Sequence, residues 1–220
     1  MKKILFGTSF LLSSLIAPSF AEESKNLYLS IGGGITFPSD VKVNGTDLNG
    51  TDYKIKLPTD NPFIYSLAVG KGFEDLRLEF NYSGTTLSSK SITATVGGTT
   101  GTANFSPAAE AKVKSYMLYG YKDITNETKF TPYIGIGLGT SNINMKEQTI
   151  NSGGATVILE SASSSVFTYG IKGGVGYEIA DNTSLYSEAT YLNYASFKDG
   201  SDNYDSNNYF GITAGLRFNF

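Results

Sequence analysis

Asp199, Asp202 and Asp205, in the run KDGSDNYDS, are the residues of this chain best placed to hold a metal ion. Carboxylates are the hard oxygen donors that Ca²⁺ takes. Their spacing is not that of an EF-hand loop, and acidic surface loops are ordinary, so the three are weak candidates and no cofactor is expected. The run GGTTGT at 97–102 has the glycine content of a phosphate-binding loop. It lacks the lysine and the strand-to-helix context, and reads as a flexible loop. A third group of polar residues, Arg77, Glu79, Lys172, Glu178, Glu188 and Arg217, is set singly among small and apolar residues, where opposite charges could pair. The chain contains no histidine and no cysteine. That removes the imidazole base, the thiolate nucleophile and ordinary zinc ligation. No pair of carboxylates stands out at a strand end, so no enzyme is expected.

The elements that carry these residues alternate with a period of two, the signature of strands with one apolar face. In Leu76–Ser83 (LRLEFNYS), Leu76, Leu78, Phe80 and Tyr82 alternate with Arg77, Glu79, Asn81 and Ser83. In YFGITAGLRFNF, at 209–220, Phe210, Ile212, Ala214, Leu216, Phe218 and Phe220 share one parity, and Arg217 lies on the other. Further strands are expected at 27–37, 63–69, 113–122, 129–142, 167–179 and 184–194. The strand at 113–122 has apolar residues on both parities, and its facing stays open. Segments 38–61, 84–110, 145–165 and 196–208 are long and polar, and the intervening connections are short. Eight strands with long and short connections segregated by end fit a membrane barrel with external loops and brief internal turns. A soluble sandwich has no reason to sort its loops this way.

The amino end agrees. Met1-Lys2-Lys3 is a positive head, Ile4–Ala17 is apolar but too short for a lasting span, and Ser19-x-Ala21 is a small-residue cleavage pattern. Residues 1–21 are therefore predicted to be a signal peptide, and 22–220 a single domain. The fold expected is all-β, an eight-stranded antiparallel up-and-down transmembrane β-barrel in the outer membrane of a Gram-negative bacterium. Fifteen tyrosines, fourteen phenylalanines and 25 glycines suit a turn-rich β protein, and a net charge of −3 argues against nucleic acid as partner.

The segments LRLEFNYS (76–83), TPYIGIGLG (131–139), YGIKGGVGYEI (169–179) and GITAGLRFNF (211–220) resemble the eight-stranded outer-membrane superfamily of OmpA-type and OmpX-type barrels, and within it the opacity-type "porin family" surface antigens. The resemblance implies outer-membrane lipids as surroundings. It also implies recognition of Phe210, Ile212, Leu216, Phe218 and Phe220 by the outer-membrane insertion machinery. Two functions follow. Long loops could contact host or neighbouring-cell surface molecules, or support envelope integrity. Alternatively, a narrow lumen lined by Arg77, Glu79, Lys172, Glu178, Glu188 and Arg217 could pass small ions. In so narrow a barrel these charges are expected to pair into a plug, with Arg217 meeting Glu79, Glu178 or Glu188.

Overall fold

The alternation seen in the sequence becomes a closed ring. The computed structural model describes residues 26–46, 50–152, 155–159, 161–199 and 202–220, so the expected signal peptide (1–21) lies outside the described residues. In chain order, the strands are β1 (Leu27–Pro38), β2 (Val41–Thr46), β3 (Asp52–Leu57), β4 (Phe63–Phe73), β5 (Leu76–Val96), β6 (Thr99–Asp123) and β7 (Phe130–Met145). They continue with β8 (Gln148–Ser152), β9 (Ala155–Leu159), β10 (Ala162–Ala180), β11 (Thr183–Tyr194), β12 (Phe197–Asp199), β13 (Asp202–Tyr204) and β14 (Asn207–Asn219). Eight of them (β1, β4, β5, β6, β7, β10, β11 and β14) pair antiparallel in sequence order, and β14 pairs back onto β1 from Tyr28↔Asn219 to Pro38↔Tyr209. The protein is an eight-stranded antiparallel up-and-down β-barrel. Closure leaves no barrel strand with an unpaired edge.

The barrel is turned inside out relative to a soluble protein. Leu29, Ile31, Leu67, Leu78, Phe80, Ile134, Leu138, Ile171 and Ile212 are all exposed on the outer surface. A continuous apolar band of this kind is what a bilayer covers. The strand whose facing the sequence left open, within β6, turns Val113, Met117, Tyr119 and Tyr121 inward, and Leu118 outward.

The short connections lie at one end: Glu74-Asp75, 124–129 and Asp181-Asn182. At the other end the segments expected as loops are largely hairpins. β5 and β6 continue as a ribbon well beyond the ring and meet at Gly97-Gly98, whose φ values of 53° and 85° give a two-residue turn that glycine adopts without strain. GGTTGT is thus a hairpin tip and the start of a strand, not a flexible loop. β2 and β3 form a second hairpin and β12 and β13 a third. These join the ribbon in the order β12-β13-β2-β3-β5-β6. β8 and β9 form a separate two-stranded sheet.

Inside the ring, large and small residues are matched across strands. Tyr28 faces Gly70, Tyr119 faces Gly137, Tyr121 faces Gly135, Tyr133 faces Gly174 and Tyr186 faces Gly215 as direct register partners. Each ring lies over its glycine, and a Cβ added at any of these glycines would collide with the ring. Eight strands enclose only enough space for side chains, so a ring on one strand requires its absence on the next. Gly173, on the outer face, has only a backbone oxygen at 4.0 Å from such a Cβ. Gly137→Ala is therefore expected to destabilise the barrel by about 1–3 kcal/mol, as over-packing does, while Gly173→Ala leaves it unchanged. Urea unfolding of each variant refolded into lipid vesicles measures the difference.

Candidate functional site: the barrel interior and the outer hairpins

Two regions hold the polar residues that could act, the lumen and the hairpin sheet above it. In the lumen, Arg77 is almost fully buried, and its Nε donates to both Asp123 carboxylate oxygens at 3.0 and 2.8 Å. Its Nη1 donates to the Tyr28 hydroxyl at 3.3 Å, and its guanidinium lies 4.5 Å from the Tyr121 ring centre. Glu79 accepts from the hydroxyls of Tyr28 (3.0 Å) and Tyr121 (3.1 Å), and from the Asn81 amide (3.3 Å). Higher in the lumen, Lys172 pairs with Glu188 at 2.9 Å, with its Nζ 4.3 Å from the Tyr119 ring centre. Tyr133 donates to the same carboxylate at 3.3 Å. Beyond that, Thr168 donates to Ser141 (2.8 Å) and Ser141 to Ser115 (2.7 Å), beside an apolar cluster that includes Met117, Val166 and Leu192.

These contacts sort the sequence expectations. Arg77, Glu79, Lys172 and Glu188 lie buried inside the barrel. Glu178 is exposed: it shares the inward parity but sits where the β10–β11 register shifts, at the rim with the short turns. Arg217 meets none of the three acids proposed for it. Among the described residues it has no ion pair; its guanidinium lies 5.0, 5.6 and 5.7 Å from the Tyr28, Tyr133 and Tyr186 ring centres, and its Nε lacks a hydrogen-bond partner. The rings occupy the space a carboxylate would need, and their faces carry negative potential. Asp123 lies one residue past the strand expected at 113–122, yet it continues the inward parity of Val113, Met117, Tyr119 and Tyr121, which the open facing of that strand hid. Arg77, Lys172 and Arg217 are thereby set against Glu79, Glu188 and Asp123, so the enclosed charge sums to zero. A cavity beside Asn81, Lys172 and Glu188 has a volume of about 20 Å³. That is room for roughly one water.

The aspartates give no metal site of the kind considered. Asp202 accepts from the Tyr53 hydroxyl and Asp205 from the Asn44 amide, the side chain of Asp199 lies outside the described residues, and no group of three ligating residues gathers among those described. Phe210 and Ile212 lie exposed on the outer surface, Leu216 and Phe218 are half-buried, and the exposed Phe220 donates its backbone N–H to the Leu27 carbonyl at 2.8 Å.

The hairpin sheet is two-faced. Val43 and Phe105 are buried beneath it. The opposite face carries Lys42 and Lys56 as direct partners and Lys54 opposite Asn44, all three lysines exposed, followed across β5 and β6 by the hydroxyl pairs Thr93–Thr102 (3.2 Å) and Thr95–Thr100 (2.9 Å). Lys56 pairs with Asp40 at 2.8 Å; Lys42 and Lys54 have no ion pair among the described residues. Phe197 stacked on Tyr204 at 4.4 Å closes the far end. Lys146, 2.6 Å from Glu110, ties β6 to the end of β7 and holds the Glu110 carboxyl below its ordinary pKa.

This closed ring, apolar outside and filled within, matches the outer membrane protein β-barrel domain over residues 8–218. The chain belongs to that family. It resides in the outer membrane of a Gram-negative bacterium. A protein of Rickettsia bellii named "Putative adhesin" is 28% identical over 99% of both chains. The outer membrane protein PagN of Salmonella typhimurium is 30% identical over 43% of this chain and only 40% of its own length. Among solved structures, Neisserial surface protein A is 17% identical, with a TM-score of 0.51 over 88% of this chain and 97% of that one, a likeness of fold.

The buried Lys172–Glu188 pair gives the site's prediction. Lys172→Met alone strands a carboxylate inside the barrel and is expected to cost about 3–5 kcal/mol, whereas Lys172→Met with Glu188→Leu removes both charges and recovers most of it. Urea midpoints of the two variants in vesicles decide.

Proposed function

We propose that the protein is an adhesin-type surface protein, in which the barrel is a closed anchor and the β12-β13-β2-β3-β5-β6 sheet makes contact with anionic molecules on host or neighbouring cells. The observation that carries this reading is the outer face of that sheet. Lys42 and Lys56 are held directly opposite each other, with Lys54 beside them. Like charges facing across a ladder disfavour the sheet that holds them, and a negatively charged partner relieves the repulsion. The full-length likeness to a protein named as an adhesin supports the same reading. In it, residues 22–220 form the mature protein, lipids surround the band, and the insertion machinery reads Phe210, Ile212, Leu216, Phe218 and Phe220.

The test is adhesion of bacteria displaying the protein. The combined variant Lys42→Gln, Lys54→Gln and Lys56→Gln should reach the surface in equal amount and bind cultured cells several-fold less. Wild-type binding should fall as ionic strength rises, because exposed charges are screened. Unchanged adhesion by the triple variant would sink the reading.

The lumen favours an anchor over a diffusion pore. The Lys172–Glu188 pair and the Tyr119 ring line a cavity of only about 20 Å³ inside the barrel, which supports the anchor reading. Purified protein in a planar bilayer is expected to carry no steady single-channel current at any voltage that the bilayer tolerates, and discrete openings that shift with Lys172→Gln would restore the pore reading.

A further inference from the structure

The side-chain cover of the outer surface breaks where β5, β6 and β7 run side by side. Gly120 of β6 is flanked by Leu78 on β5 and Ile136 on β7 as direct partners. One step toward the short-turn end, Lys122 is flanked in the same way by Leu76 and Ile134. Gly120 is exposed, and a Cβ added there would meet nothing within 4 Å. A shallow, open groove of about 510 Å³ passes over Gly120, and its walls include Phe73, Leu76, Leu78, Ile134 and Ile136. Of the other outward glycines of the ring, Gly33 has its gap filled by the Phe63 ring, and Gly173 lies between Ile134, a wall of this groove, and the small Ala189.

The groove ends at an ion pair. Lys122 and Asp75 are joined across the foot of β5 and β6, about half exposed, at the end of the barrel that carries the short turns. In an outer-membrane barrel that end faces the periplasm. An apolar slot that ends in a fixed cation beside a fixed anion, at headgroup level, matches a molecule with one hydrocarbon chain, a phosphate and an ammonium. A second copy of the barrel would satisfy the slot but leave the ion pair with nothing to do.

We propose that this groove holds one acyl chain of a zwitterionic, amine-bearing phospholipid of the periplasmic leaflet, with the lipid phosphate on Lys122 and its ammonium on Asp75. Within a bilayer the chain is already out of water, so the hydrophobic gain of entering the slot is largely absent. Selection of one lipid over its neighbours therefore rests on shape and on the paired charges.

The test is lipid retention by the full protein reconstituted in vesicles of equal phosphatidylethanolamine and phosphatidylglycerol, extracted in mild detergent and weighed intact by native mass spectrometry. Wild type is expected to keep one phosphatidylethanolamine per barrel. Gly120→Leu, which fills the slot, should lower that occupancy about tenfold. Gly120→Ala should lower it less, and Lys122→Gln should abolish the preference for phosphatidylethanolamine. Ala214→Leu, exposed on β14 across the ring from the groove, is the control and should match wild type. Heat-modifiable migration confirms that each variant is folded, and Gly120→Ala keeps the test open should the leucine variant fail it. Equal retention by wild type and both Gly120 variants would overturn the proposal. So would no retained lipid, equal retention of the two lipids, or a dimer that disappears on filling the slot.

Discussion

A sheet inside a bilayer has no water with which to satisfy its backbone, so every N–H and C=O in the apolar zone must pair within the protein. The β1–β14 pairing meets that demand, and much else in the molecule follows from it. Closure with eight strands fixes a narrow lumen. A narrow lumen must be filled without voids, which forces the tyrosine-over-glycine matching. Charges admitted there must be compensated on the spot. The Arg77–Asp123 and Lys172–Glu188 pairs, the Glu79 hydrogen bonds and the rings around Arg217 are the local answers. The interior is thus a consequence of sealing the wall, and the freedom to evolve contacts passes to the hairpins above.

Those hairpins divide the molecule by stability as well as by place. Below them, each strand is paired on both sides and packed on a filled interior. Among them, β12 and β13 are three residues each, and they are held by the Phe197–Tyr204 stack and a brief pairing with β2. Regions with few buried contacts open first and tolerate change best. Anchor and contact surface therefore share one sheet and differ in how firmly they are held.

The sequence disclosed the barrel because lipid on one side and a packed lumen on the other impose alternation on every strand. Leu76–Ser83 shows both faces in eight residues. It disclosed less of the lumen's wiring, because parity says which residues face inward and not at what height. Arg217 and Glu188 share the interior, yet the Tyr133 and Tyr186 rings take the places beside the guanidinium. Glu178 shows the opposite failure, with the right parity but a position past the end of the filled region. Asp123 was concealed by β6, where Tyr116 and Leu118 compete with Met117 and Tyr119 for the apolar face. The outer segments read as loops because their strands face water on one side and carry threonine, asparagine and lysine. That composition looks like loop until the pairing is seen. Gly97-Gly98 was the signal that could have marked a hairpin.

The projecting sheet has a further consequence. Its three hairpins grow from different parts of the ring: β12–β13 joins β11 to β14, β2–β3 joins β1 to β4, and β5 and β6 run on as the third. One sheet above the membrane therefore straps together strands that lie far apart below it. A change in one hairpin is felt by its neighbours in the sheet, so drift in the contact surface is bound by what the adjoining hairpins tolerate.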